Sequence, residues 1–407
     1  MAGRRVLTPL IQVRVLVPQP LLALLLCLVC CLAAAPRAAR AHGSERRIGV
    51  ASVAAGHGNA AQVVFAGLTF GAMLSTDGGR RFDWICEEAL LGETSLDPLV
   101  AVVDPTTILY ADTQAGLLVS HDAGCSFAPT PSFAPPFRLR DLALHGLDRR
   151  RVYVVGDRHG EPHGTLWQSD DGGATFGRHT ALPEGLYASS VATSAEHPHR
   201  TWLAASNNAA YQSAKVLVRE ADEAPFSVRT VLGAPPMAGD AKLAVAADDA
   251  NQLLVGFLDL TTNGTQVLRS GDGGQSWQRV LLVREPLRAL TFGTDGHAWA
   301  SGTSTIFRSA DGGRSFARLS SPSHNACVAS TEEGDWLCGD QELGDGAALL
   351  FTRDQGRHQR PAFRLNELVG PYRCGADSPL ARICGPLWPS VAQRLGARAP
   401  APKPRRR

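Results

Sequence analysis

The chain holds 407 residues, 44% of them hydrophobic, with 41 glycines and a formal net charge of +2, enough for one large domain. Charge is unevenly placed. Residues 1–41 carry five arginines and no acid, and Arg394 to Arg407 carries six basic residues and no acid, so the body between them sits at about −9. An acidic body with a short basic tail argues against nucleic acid as the main partner.

At the start, Arg4, Arg5 and Arg14 precede an apolar stretch of fifteen residues from Leu21 to Ala35, shorter than the roughly 20 a membrane-spanning helix needs. Ala39-Arg40-Ala41 offers small residues at the two positions a signal peptidase reads. Residues 1–41 are therefore expected to be an export signal, with the mature chain starting at His42. An uncleaved N-terminal anchor is the alternative. Export, periplasmic or extracellular, with no membrane span after cleavage, is the expectation.

From residue 75 onward an eight-residue phrase, Ser-x-Asp-x-Gly-x-x-aromatic, recurs. It occupies Ser75 to Phe82, Ser120 to Phe127, Ser169 to Phe176, Ser270 to Trp277 and Ser309 to Phe316, with a decayed copy at Thr352-Arg353-Asp354-Gln355-Gly356. The intervals are 45, 49, 101, 39 and 43 residues. The interval of 101 spans two periods, which places a silent unit near Tyr211-Gln212-Ser213. Seven units of this length match the period of propeller blades with four strands each.

Within a unit the elements follow in order. Pro98-Leu99-Val100-Ala101-Val102-Val103 is an apolar run suited to a doubly buried inner strand. Asp104-Pro105-Thr106-Thr107 is a turn, Ile108 to Ala111 a second strand and Gly116 to Ser120 a third. The phrase itself is the next turn, and a shorter outer strand follows Phe127. No long 3.6-residue period argues for helices. The expected fold is all-β, a seven-bladed propeller over residues 42–370, with blades near 48–90, 94–132, 137–182, 186–232, 240–283, 286–320 and 325–369. A Cys-containing segment at 371–393 and a disordered basic tail at 394–407 complete the chain.

The phrase has a physical logic. Its aspartate accepts hydrogen bonds from amides of its own turn, its glycine allows positive φ, and its aromatic ring can wedge between sheets. Asp77, Asp122, Asp171, Asp272, Asp311 and Asp354 are thus expected to be structural. The phrase resembles the Asp-box, or bacterial neuraminidase repeat, of sialidases, xyloglucanases, the sortilin ectodomain and photosystem II assembly-factor propellers. That resemblance implies the fold over residues 48 to 370 and leaves the activity open. Sialidases carry Arg-Ile-Pro near their first strand, where this chain has Arg47-Ile48-Gly49, and they have six blades. Xyloglucanases pair two propellers, and this chain has one. The nearer resemblance is to single-domain assembly-factor and sortilin-like propellers, which hold partner polypeptides.

Of nine cysteines, Cys27, Cys30 and Cys31 fall in the signal and six remain, an even number fit for disulfides in an exported chain. The blade scheme suggests Cys327–Cys338 across a hairpin, Cys374–Cys384 as a small loop, and Cys86–Cys125 between neighbouring blades. None has zinc-ligand spacing, and no metal or cofactor is expected.

Function is expected on loops around the channel. The acids Asp112, Asp157, Asp259 and Asp340 are candidates for a glycosidase pair. Asp157, Arg158, His159, Glu161, His163, Asp340, Glu342 and Asp345 are candidates for a binding face. The reading favoured is a monomeric binding or scaffolding protein holding a protein or glycan ligand, without a catalytic centre. The alternative is a glycoside hydrolase acting on extracellular glycans.

Overall fold

Residues 49–90, 98–112, 116–133, 137–207, 214–319, 327–341, 345–375 and 378–397 are described by the computed structural model. The proposed signal, Tyr211-Gln212-Ser213, Glu342 and residues 398–407 lie outside them. Among the described residues, 28 strands form seven four-stranded antiparallel sheets, each taken from four consecutive strands in sequence order. The inner strands are Val50–Ala55, Leu99–Val102, Phe137–Leu144, Leu186–Thr193, Ala238–Val245, Ala289–Phe292 and Val328–Thr331. Alternating strand direction sorts the loops onto two faces. Second-to-third turns and the links to the next inner strand leave from one, here termed the upper face. First-to-second turns and the repeated eight-residue turns share the lower face.

Each sheet buries its apolar side chains against its neighbours, so the core is a set of wedges between blades rather than one central mass. The aromatic residue of the repeated turn fills the wedge towards the preceding blade. Phe82 meets Phe363 of the seventh blade at 4.5 Å, Phe127 meets Phe65 of the first at 6.0 Å, and Phe176 meets Phe133 at 4.6 Å in an edge-on contact.

The turn is fastened the same way in six blades. A Ser or Thr hydroxyl accepts the amide of the residue four places on, as Ser75 does from Gly79 at 2.9 Å and Thr352 from Gly356 at 2.8 Å. The aspartate Oδ1 accepts the amide of its own fourth neighbour, from Arg81 to Asp77 at 3.0 Å through His358 to Asp354 at 2.9 Å. Burial opposes ionisation of Asp272, but the Ser276 hydroxyl and amide outweigh it and bring its pKa to about 2. The glycine has two reasons to be there. At Gly79 φ is +79°, and a Cβ would fall 2.2 Å from the Trp336 ring of the seventh blade.

The silent unit lies six residues beyond the expected place. The third strand of blade four is Lys215–Arg219, so the turn equivalent begins at Arg219 rather than Ser213. Glu223 stands where the glycine would, with φ +65°, and Phe226 stands where the aromatic would. Arg219, in the serine position, is 3% exposed, with its guanidinium over the Phe226 ring at 5.8 Å. Asp222 accepts from Arg151 of blade three at 3.1 Å and lies 3.9 Å from Arg219. An ionic network has replaced the hydroxyl–carboxylate turn.

Blade one and blade seven share no sheet; the segment after blade seven joins them instead. Pro371 bridges Trp84 in parallel, the Trp84 amide donates to the Gly370 carbonyl at 2.7 Å, and the Tyr372 amide donates to the Trp84 carbonyl at 2.8 Å. Two helices missing from the sequence expectation follow, α1 (Pro379–Cys384) and α2 (Trp388–Leu395). Ser378 caps α1 by accepting the Ala381 amide at 3.0 Å. At six and eight residues, both are too short to display a 3.6-residue period.

Disulfides lock this segment down, and they correct two of the expected pairs. The bonds are Cys86–Cys384, Cys125–Cys374 and Cys327–Cys338. Cys86–Cys125 does not form because Cys86 follows the outer strand of blade one at its upper end, whereas Cys125 lies in a lower-face turn. Cys374 and Cys384 do not close a local loop because each is drawn to a different blade. The C-terminal segment is thus a clasp over blades one and two.

Two stability predictions follow from these contacts. Phe176→Ala should cost about 3–5 kcal/mol, as buried Phe truncations do, and an unchanged melting midpoint would contradict the wedge. Removing either clasp disulfide should cost about 2–5 kcal/mol, and removing both should cost more than either. Guanidinium melts of Cys384→Ser, Cys374→Ser and the double variant check this, and identical midpoints would separate the clasp from ring closure.

Candidate binding funnel

The inner strands enclose a cavity of about 510 Å³ lined by all seven blades. Its walls use the first residues of inner strands, such as Ala51, Leu99 and Asp240, and the last residues of second strands, such as Asp112 and Leu258. Both sets lie at the upper ends of their strands, so the cavity is a funnel opening on the upper face.

The lining divides into two arcs. Blades seven, one and two contribute Val328, Ala51, Val53, Pro98, Leu99 and Val100, with Ser52 and Asp112 among them, a mainly aliphatic wall. Blades three to six contribute Arg140, Ser189, Asp240, Lys242 and Arg288, set among Leu139, Leu142, Leu258 and Leu287, and this more polar side is termed the polar wall. Because strand side chains alternate, Asp240 and Lys242 face the funnel while Ala241 and Leu243 are buried between blades.

Inner strands three, four and five are stitched edge to edge behind the polar wall. Asp141 accepts from the Ser190 hydroxyl at 2.6 Å and the Val191 amide at 3.1 Å. Ser189 and Ser190 accept the amides of Ala241 at 2.7 Å and Leu243 at 3.1 Å. This fixes the backbone that carries Arg140 and Lys242. Arg140 donates to Asp157 at 3.0 Å and lies 3.9 Å from Asp240. Lys242 makes no hydrogen bond or ion pair among the described residues.

The four acids considered as a catalytic set do not share a wall. Asp112 alone of them lines the funnel. Asp157 is buried and held by Arg140. Asp259 accepts the Thr261 hydroxyl and amide in its own turn, and that hydroxyl bond in particular holds its pKa down. Asp340 donates its amide to the Asp345 carboxylate at 2.8 Å. Asp340 and Asp345 therefore brace one upper-face loop, and Glu342 between them lies outside the described residues.

The remaining loop candidates sit at the rim of blade three. Arg158 donates to the Ser132 carbonyl at 3.2 Å and covers the Phe137 ring at 5.7 Å. His159 is exposed. The Glu161 carbonyl accepts from the Tyr187 hydroxyl at 2.6 Å, and His163 Nδ1 lies 3.2 Å from the Gly164 carbonyl. Among the described residues, no three His, Cys, Asp or Glu side chains gather as a metal site would require. Sequence reasoning missed Arg140, Lys242, Asp240 and Arg288. The available signal was a charged residue at alternate positions of an otherwise apolar inner strand.

A second titratable cluster bridges blades six and seven near the lower face. His297 is 5% exposed and lies between Asp295, which contacts Nδ1, and Asp335, whose Oδ2 is 3.0 Å from Nε2. Burial would lower the His297 pKa, but the bonds to Asp335 and Asp295 outweigh it and raise it above 6.5. Burial likewise opposes ionisation of Asp295, yet its His297 and Gln355 partners bring it to about 2.

Comparison with known proteins adds to the fold. No known protein-family profile matches the chain, and no curated protein sequence matches it. Among solved structures, an ancestral GH74 enzyme superposes with a TM-score of 0.50 at 13% identity, covering 71% of this chain and 43% of its own. The GH74 enzyme of Niastella koreensis gives 0.47 at 12% identity, covering 77% and 65%. YCF48 from Cyanidioschyzon merolae gives 0.49 at 11% identity, covering 76% and 96%. The chain thus spans less than two thirds of either GH74 enzyme. At 13% identity the likeness to the ancestral GH74 enzyme bears on the fold alone.

The pH dependence of stability has a definite sign here. A charged His297 with a raised folded pKa stabilises fully below about 6.5, and that stability is lost as pH rises through the folded value. Urea melts from pH 5 to 9 should show the natural protein losing stability relative to His297→Gln. Parallel curves would mean that the bridge is not ionic.

Proposed function

We propose that this protein is an exported binding or scaffolding module that holds a partner polypeptide on its upper face and has no catalytic centre. The observation that carries the reading is the funnel's lining, a mainly aliphatic arc facing an arc that carries Arg140, Lys242 and Arg288. Glycoside hydrolysis needs two carboxyl groups about 5–10 Å apart across one bond. Of the two carboxylates in the lining, Asp112 comes from blade two and Asp240 from blade five, and Asp240 is engaged with Arg140.

Sugar recognition is also poorly served. No aromatic residue lines the funnel among the described residues, although flat rings are the usual apolar platforms in ligand pockets. The tryptophans are placed elsewhere: Trp202 and Trp299 are wholly buried, and Trp84 packs under the clasp against Trp388. On this reading the repeated turn is that of the Asp-box superfamily, and its carboxylates serve rigidity. Three disulfides support an oxidising compartment. Among the described residues no helix is long and apolar enough to cross a membrane.

The expected result with xyloglucan or sialylated oligosaccharides is no release of reducing sugar or sialic acid at any pH from 4 to 8. Turnover that disappears in Asp112→Asn would establish a hydrolase and sink the proposal. Hydrogen exchange with a bound partner should protect the upper strand ends and leave the lower-face turns unchanged. Protection confined to the lower face would be equally fatal.

A further inference from the structure

Resting on that reading, we infer that the funnel recognises a polypeptide segment in which a carboxylate lies beside aliphatic side chains. Three observations converge on this chemistry. The first is the arc of Val53, Pro98, Leu99, Val100 and Val328, which offers aliphatic surface beside Ser52 and Asp112. Such a wall takes Leu, Ile or Val side chains.

The second is the charge across from it. Arg140 is occupied by Asp157 and Asp240, whereas the Lys242 ammonium lines the cavity with no partner among the described residues. A carboxylate entering the funnel meets a cation whose pairing is unmade, in a site partly screened from water by the walls. Charge-assisted hydrogen bonds of this kind are stronger than neutral ones.

The third is a set of exposed apolar residues in the upper-face connections next to the same strand. Leu232 is 74% exposed, Met237 42% and Leu260 39%. Leu232 and Met237 belong to the link that enters the inner strand carrying Lys242. The Leu260 amide donates to the Met237 carbonyl at 3.0 Å, which sets the two side chains on one upper-face ledge. The cavity, at about 510 Å³, lies within the roughly 300–1,000 Å³ of pockets for small ligands, so it admits a short segment rather than a folded domain.

The test measures fluorescence anisotropy of three labelled peptides of equal length on the full mature chain. One alternates Glu with Leu, one Lys with Leu, and one Glu with Ser. An anionic oligosaccharide serves as competitor. The Glu–Leu peptide should bind best, and its affinity should fall as salt rises. Lys242→Glu should weaken it at least tenfold and improve the Lys–Leu peptide, while Lys242→Arg should retain it. Val100→Asp should weaken it as well, and Lys242→Met, which keeps the side chain's apolar stem, guards against misfolding of the charge reversal. Equal binding of all three peptides, an unchanged affinity in Lys242→Glu, or preferential binding of the oligosaccharide would overturn the inference. A different peptide chemistry bound at the funnel and lost in Val100→Asp would overturn it too, yet leave the scaffolding reading intact. That reading fails separately, through sugar turnover or through lower-face protection.

Discussion

A blade of this ring has two apolar faces and can bury neither alone, so the ring must close for any blade to be stable. Six junctions close by succession, because the next sheet follows within a short link. The seventh has no such link. In this chain the last sheet takes all four strands from its own sequence, so no exchanged strand ties it to the first. The largest apolar cluster sits at this junction, running from blade two through blade one to blade seven and on to Leu380 and Cys384 of the clasp. A parallel bridge at Pro371 and Trp84 and two disulfides of sequence separation 298 and 249 hold it. Long closed loops are where a covalent link removes most freedom from the unfolded chain. The clasp therefore stands in for the shared strand.

The repeated turns answer the same constraint locally. Each must bring an aromatic wedge against the preceding blade without adding bulk of its own. That is why its glycines meet side chains of the preceding blade: Gly124 meets Leu74, Gly173 meets Leu109 and Gly356 meets Trp299, with a Cβ at 2.5 to 2.9 Å in each case. Blade four keeps the wedge, Phe226, and abandons the rest. Glu223 accepts the strain of positive φ, and Arg219 is desolvated, which lowers its pKa. Buried ion pairs of this kind are weak evidence of added stability. Their evident effect is to tie blade three to blade four through Arg151 and Asp222.

How much of this could be read from the chain follows from the range of each interaction. The turn depends on residues within four positions, so Ser75, Asp77, Gly79 and Phe82 announce it directly. Blade number followed, because the period survives one silent copy; the phase of that copy did not, since Arg219 and Glu223 share no residue type with the serine and glycine they replace. The cysteine pairs failed for a different reason. Proximity in sequence suggested Cys374–Cys384, but the deciding contact was between Trp84 and Pro371, nearly 290 residues apart. The funnel was hidden in the same way. Asp112, on a loop edge, was visible as a candidate, whereas Lys242 lies within the inner strand Ala238–Val245.

The polar wall is braced from behind. Its inner strands are joined behind the funnel by Asp141, Ser189 and Ser190, so Arg140 and Lys242 project from a backbone already fixed before any partner arrives. Preorganisation of this kind lowers the ordering cost of binding. The same stiffness reaches two upper-face acids: the Thr261 hydroxyl holds the Asp259 carboxyl below its ordinary value, and the Asp157 carboxylate is engaged by Arg140. The hydrogen bonds that make the scaffold stiff thus engage Asp157 and Asp259, while Lys242 stands in the funnel with no partner among the described residues.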